Sequence, residues 1–493
     1  MHTPPSAAII VLCLLVAASG GCAGSAPNSI AVSPDGKTLY LSLNADGGLP
    51  VDESSVIYSL DVEKGRLTAL SGDTSSWGGF SVSEDGKTLL CGEGMFFVSA
   101  AAMNLADRKM VPFSGLAHPM FLARFVPGPK DGGRMLAVEA ELMKGENRAI
   151  PRWVMLQHER PVRLLPDDYM VAGLPSAACR TRIVLPAAQV PNFKTLKDEE
   201  LAQVKAELYL VDVSGDEPGK PVRILTGLHI DLLSKVQPLI SRDGARIAVS
   251  LPPAVVPTRP DAARDPGKVV EVDPVRPDAQ RVLFEADVDG PIEFTPDAKG
   301  VVWSAREDGM IEIRLWEEAI GKQRVLARYP AEEESATPPT FRWMEDHRLQ
   351  IVAATKEGLR IIETNLDGTK AEAKQLARKS LRVQRRLADI AWTIEHGQAL
   401  AGRKRPDPPG MGEPVLLGKD GKPQHVERKV APEVKQELAD VEATLAPVCE
   451  MMKARDAEIT KQLEAEWAKV DGWEKVPVLA ESPKREPAPE KAK

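Results

Sequence analysis

The feature that most constrains this chain is a short block of sequence that keeps returning. Its clearest copies are Ile30–Ser42 (IAVSPDGKTLYLS) and Phe80–Gly92 (FSVSEDGKTLLCG), followed by Leu239–Ser250 (LISRDGARIAVS) and Ile292–Ser304 (IEFTPDAKGVVWS). Phe341–Ala353 and Ile390–Ala401 are weaker copies, and Leu122–Val138 holds an expanded turn around Gly128–Gly133. Each copy alternates apolar and polar residues, turns, and alternates again, which is the pattern of strands with one buried face. In Ser33-Pro34-Asp35-Gly36 the proline pre-sets a negative φ, the aspartate can bond nearby backbone, and the glycine takes a positive φ without a Cβ clash. The block is a hairpin.

The turn acids Asp35, Asp85, Asp131, Asp243, Asp297, Asp346 and Glu395 recur about every 50 residues, with one gap of about twice that. The double gap holds Arg180–Ala187 and Glu207–Val213, which read as strands of a copy that has lost its turn. Second hairpins follow the first ones, as in Val56–Leu70 and Ile311–Leu326. Two hairpins make a four-stranded unit that cannot bury both faces alone, and stacking such units radially buries each against its neighbours. Residues 28–430 are therefore expected to form an all-β propeller of about eight four-stranded blades, or seven if a terminal copy is partial. Trp77, Trp153, Trp303, Trp316, Trp343 and Trp392 recur at blade strands and are expected to pack the core.

The shared motif, an apolar residue, a variable one, then [FVW]-[ST]-P-D-G-K, resembles the TolB-type, WD-like propeller repeat of bacterial periplasmic and cell-surface proteins. The resemblance is strong in two copies and degenerate in the others. It implies an architecture and leaves the activity open, because propellers host binding, scaffolding and several chemistries.

Ahead of the repeats, Ala7–Ala18 is an uncharged apolar run followed by Ser19, Gly20 and Gly21. Its length suits the core of an export signal and is short for a bilayer span, so residues 1–21 are expected to be a signal peptide. Gly21-Cys22 resembles the end of a bacterial lipobox, which implies lipidation of Cys22 and a linker over 22–27. Ser19 departs from that pattern, and cleavage by an ordinary signal peptidase nearby is the alternative. Either route places the protein outside the cytoplasm, in the periplasm or at the cell surface, with a lipid anchor as its membrane attachment in the first case.

From about residue 431 the pattern changes. Val434, Leu438, Val441, Leu445, Val448, Met452 and Ile459 fall at helical spacing, and Leu463, Trp467 and Val470 continue the stripe one position out of register. Pro447 is best placed at the start of a second helix, so 431–472 is expected to be helix–break–helix. The Pro/Glu/Lys-rich stretch 473–493 is expected to stay disordered.

The chemistry is sparse. No GxSxG elbow, HExxH pair, Walker A loop or GxGxxG fingerprint is present, so no catalytic residue, metal site or cofactor is assigned. A net charge of −8 over 493 residues argues against a nucleic-acid partner. The histidines are isolated in sequence, with His347 and His396 placed in blade turns. Asp287-Val288-Asp289-Gly290 lacks the remaining acids of a calcium loop and reads as an acidic turn. Arg378–Arg386 (RKSLRVQRR) is the one dense basic stretch and is expected to be a solvated connector between blades, with an acidic partner or lipid headgroup as the alternative. The expected role is that of a non-catalytic binding scaffold for another envelope protein or a cell-wall component. The alternative is a hydrolase, lyase or oxidoreductase whose site is assembled at the propeller channel from several blades.

Overall fold

The computed structural model describes residues 30–402 apart from 44–55, 72–76, 94–98, 113–119, 128–133, 143–148, 158–159, 173–175, 191–203, 216, 230–235, 254–265, 332–337, 356 and 369–370. It also describes 416–417, 423–424, 454–470 and 472–478. The signal segment, Cys22 and all of 431–453, Pro447 included, lie outside the described residues.

Seven antiparallel sheets follow one another along the chain, at 30–69, 77–112, 120–163, 169–229, 237–285, 292–330 and 340–377. Within each sheet the strands pair in sequence order, the fourth sheet carrying one extra short strand. First strands neighbour one another from sheet one to two, two to three and five to six, the extra short strand Ala177–Ala178 of sheet four lies beside the first strand of sheet five, and the first strand of sheet seven, Thr340–Trp343, lies beside that of sheet one, Ile30–Val32. The sheets therefore form a closed ring of blades with the first strands innermost. The fold is a seven-bladed β-propeller.

Eight blades is corrected to seven, because Ile390–Ala401 is not a blade. Those residues and the basic stretch before them form one helix, Arg378–Gly402. Burial at Leu381, Gln384, Leu387 and Ala388 follows three- and four-residue steps, so the helical period governs a segment whose short alternation resembled a strand. The double gap is a full fourth blade. Its inner turn is cut short, with the Cys179 N–H bonding the Arg182 carbonyl where the Ser33 N–H bonds that of Thr38.

The turn chemistry repeats from blade to blade. Ser33 Oγ donates to Asp35 at 2.6 Å, Ser83 to Asp85 at 2.7 Å, Ser241 to Asp243 at 2.6 Å and Thr295 to Asp297 at 2.7 Å. The same carboxylates accept the N–H two residues on, from Lys37, Lys87, Ala245 and Lys299. The serine hydroxyls hold Asp35, Asp85 and Asp243 below the usual carboxylate range. Gly36 sits at φ 72°, and a Cβ there would lie 2.7 Å from Met344 Sδ of blade seven, so that position requires glycine on two counts.

Apolar clusters lie between neighbouring blades. Leu239 and Ala248 of blade five meet Phe294, Val301 and Trp303 of blade six, and Phe284 stacks on Trp303 and Trp316. Trp153, Trp303 and Trp316 are core residues, as expected. The seam between blades seven and one is closed by polar side chains. Gln350 bonds the Gly36 carbonyl and Lys374 the Val62 carbonyl. Strand Glu474–Val476 adds a fifth strand to the outer edge of blade seven. Beside it, Lys374 lies over the Trp473 ring at 5.0 Å, and that indole packs against Gly65 of blade one. This strand opens the stretch expected to be disordered, whose residues past 478 lie outside the described residues.

Residues 383–471 form a separate compact unit. Its described part is helical again over 454–467, where Leu463 is buried. No helix among the described residues is long and apolar enough to cross a membrane.

Candidate active site at the channel mouth

The inner strand of every blade ends at the turn just described. Two residues before the turn's Ser, Thr or equivalent, the side chain points toward the next blade. The strand pairing places Ala31, Ser81, Arg124, Ala177, Leu239, Glu293 and Arg342 at this position in blades one to seven. Blades two, three, six and seven thus carry a polar or charged group where the other three carry an apolar one.

The polar groups reach along the ring. Arg124 donates to the Ser176 carbonyl at 2.8 Å and its hydroxyl at 2.7 Å. Ser81 Oγ accepts the Phe125 N–H at 2.9 Å. Arg342 donates to the Pro34 carbonyl at 2.7 Å, across the seam into blade one. Glu293 lies beside the Trp343 indole and within the field of Arg342. Arg124 and Glu293 keep some surface that water can touch, although protein surrounds them closely enough to shift both. A group lining a channel has that combination.

The electrostatics follow from this enclosure. Burial pushes the Glu293 carboxyl up to about 7, against the opposing influence of Trp343 and the Arg342 charge. Burial alone brings Arg124 down to about 10. Arg342 is lowered by burial, partly offset by Glu293 and deepened by the like charge of Arg242. Glu84 and Asp35 also act on Arg342, so charges from blades one, two, five, six and seven converge here. The Arg180 guanidinium meets Glu84 at 2.8 Å, joining turns two blades apart, a pairing open only to residues near the axis.

Trp343 Nε1 bonds the Glu293 carboxyl, while the buried Arg342 Nε has no acceptor among the described residues, and a buried unpaired N–H is a costly group to leave in a fold. An acid titrating near neutrality, a guanidinium with a free donor and a second guanidinium nearby can hold a polar ligand and move a proton on it. Among the described residues no three His, Cys, Asp or Glu side chains gather as a metal site would.

The residues singled out from the sequence lie elsewhere. His347 is an exposed turn residue at φ 63°, in place of glycine. His396 is in the helix rather than a blade turn, stacked on Trp392 with ring centres 3.9 Å apart. Asp287 accepts the Gly267 N–H and Asp289 pairs with Arg306 at 3.2 Å, so the acidic turn is held by protein contacts. Arg378–Arg386 lies in the helix, not in a connector between blades. Glu293, Arg342 and Arg124 went unnoticed. Aligning the copies on their turns would have flagged them as charges at an otherwise small or apolar position.

No protein-family model matches the sequence, and no curated protein matches it. In shape, 721 solved chains match it, which marks the fold as a common one. An oligogalacturonate lyase in complex with manganese is similar at 10% identity and TM-score 0.46, over 70% of this chain and 91% of that one. A puromycin-hydrolyzing peptidase of Mycobacterium tuberculosis is similar at 12% identity and TM-score 0.44, over 75% of this chain and 54% of that one. TolB of Acinetobacter baumannii is similar at 14% identity and TM-score 0.35, over 61% of this chain and 65% of that one. At these identities the likeness concerns the propeller fold alone.

The expectation of a non-catalytic scaffold is corrected at this point. The solved propellers similar to it in shape include a lyase and a peptidase. The charged groups of the mouth come from separate blades, so they form no motif along the sequence.

Proposed function

We propose that the protein is an enzyme working by general acid–base catalysis at the channel mouth, with Glu293 as the proton-transfer group. The observation that carries this reading is the place of Glu293, on an inner strand, enclosed by protein, bonded by the Trp343 indole N–H and beside Arg342. A carboxyl titrating near the working pH is present in both forms, so it can take a proton from one bound atom and return it to another. Arg342 supplies a donor, its buried Nε–H, that fixes the substrate against it. Hydrolysis and elimination both fit this equipment.

The test has two parts. A carbon-13 NMR titration of the side-chain carboxyls reads Glu293 without any substrate, and the expected midpoint is about 7. A midpoint in the ordinary glutamate range removes the proposed catalyst. In a screen of ester, glycoside and uronate substrates, any turnover found should fall at least about a hundredfold in Glu293→Gln. Turnover that survives this change in a folded variant places the chemistry elsewhere.

A further inference from the structure

We propose that the outer edge of blade seven is a strand-accepting site. Residues 473–478 are its built-in ligand, a clasp that locks the ring at the seam with blade one and can be exchanged for an extended peptide of the same pattern.

The pattern is an indole on one face of the strand and two valines on the other. Glu474–Val476 pairs antiparallel with the fourth strand of blade seven, Ala371–Ala377, which sets Glu474 opposite Gln375, Lys475 opposite Lys374 and Val476 opposite Ala373. Pro477 has no N–H to donate, and the pairing stops before it. Side chains alternate along a strand, so Trp473 and Val476 face opposite ways. Val476 and Val478 pack against the apolar cluster that blades six and seven share. Trp473 lies on the blade-one side, where a Cβ on Gly65 would come within 2.9 Å of the indole. Gly65 stands in the turn between the third and fourth strands of blade one at φ 66°, so its missing side chain leaves the flat ring a seat. Lys374 joins the three parts. Its ammonium donates to the Val62 carbonyl of blade one at 2.6 Å and lies over the indole at 5.0 Å. At an edge of this kind main-chain pairing supplies affinity, and seats for alternate side chains supply selectivity.

The same contacts make the clasp releasable. Its paired stretch is only three residues long, and Glu474 and Lys475 are exposed. Lys475 stands directly opposite Lys374, and like charges in that register disfavour pairing. A short strand with few contacts opens locally at low cost. What keeps the edge filled is that the clasp belongs to the same chain. The chain leaves this edge at Ala377 and returns to it at Trp473 after about 95 residues, most of them in the separate unit 383–471. A free peptide must therefore compete with an intramolecular one.

Fluorescence-anisotropy titration of the full chain with a labelled peptide of residues 472–480 (GWEKVPVLA) tests this. Trp473→Ala loosens the chain's own clasp. The peptide should bind that variant with a Kd of about 100 μM or tighter, and the unaltered chain at least about tenfold more weakly. The same peptide with alanine in place of its tryptophan should bind neither. In hydrogen exchange, amides of the 371–377 strand should exchange at least about tenfold faster in Trp473→Ala and regain protection when the peptide is added. Val476→Asp loosens the clasp from its other face and leaves the Gly65 seat intact, so it serves if Trp473→Ala fails to fold. Equal binding to altered and unaltered chains overturns the proposal, as does binding to neither. Peptide binding that survives loss of its tryptophan, or protection that the variants leave unchanged, also overturns it.

Discussion

Leu239 and Glu293 occupy the same place in neighbouring blades, yet their surroundings differ. Leu239 is 2% exposed and packs with Phe294 and Trp303 of blade six. Glu293 points the same way toward blade seven and meets the Trp343 indole and the Arg342 charge. One blade spends the inner position on packing, the other on a titratable group. The propeller tolerates both because the apolar clusters between blades also draw on the second and third strands. Between blades six and seven, Ile313, Leu315, Ile351 and Ile362 form an apolar cluster that does not need the inner residue. At blade six, therefore, the inner residue can be charged without loss of the apolar contact with blade seven.

Exchanging the two residues breaks the comparison most sharply. Leu239→Glu puts an unpaired carboxyl against Phe294 and Trp303 and should destabilise the fold by about 3–5 kcal/mol in urea unfolding. A loss under about 1 kcal/mol would mean that blade five's inner position is also open to water and that the two sites are alike. The reverse change, Glu293→Leu, removes an enclosed acid and supplies an apolar side chain beside Trp343. It should raise stability by about 1 kcal/mol while abolishing turnover at the mouth, the trade expected where a strained group serves function. Destabilisation by Glu293→Leu would make Glu293 a structural partner of Arg342 instead.

What could be read in the sequence follows from the same division. The turns were legible because Ser, Asp and Gly each do a local job there, seen in the Ser33–Asp35 bond and the positive φ of Gly36. The blades were legible because alternating burial leaves a period of two. The helix Arg378–Gly402 was misread because Ile390–Ala401 carries apolar residues at spacings that suit either period over so short a window. The site was illegible for a geometric reason. In the repeat motif, the position that carries Glu293 and Arg342 is the variable one between two conserved in kind, where a consensus holds no information. Only ring closure brings Arg342 to Pro34, more than 300 residues away in sequence.

The smallest effects sharpen the comparison through pH. Glu293 has a raised value, so its contribution to stability is full below the ordinary 4.5 and is lost as pH rises through about 7. The turn aspartates have lowered values, so their contribution is full above 3.8 and is lost as pH falls through their folded values. The inner ring and the turns, four residues apart in the repeat as Glu293 and Asp297 are, should therefore mark opposite limbs of the stability profile. Glu293→Leu should flatten the loss between pH 4.5 and about 7 and leave the acid limb unchanged. Asp85→Asn should do the reverse. It should cost no more than about 1 kcal/mol at pH 7, because the Ser83 hydroxyl and Lys87 N–H keep an acceptor, and should soften the fall in stability below pH 4. An acid limb unmoved by Asp85→Asn would mean that the turn bonds persist in the unfolded chain. The recurring turn would then be a local structure formed before the blades assemble.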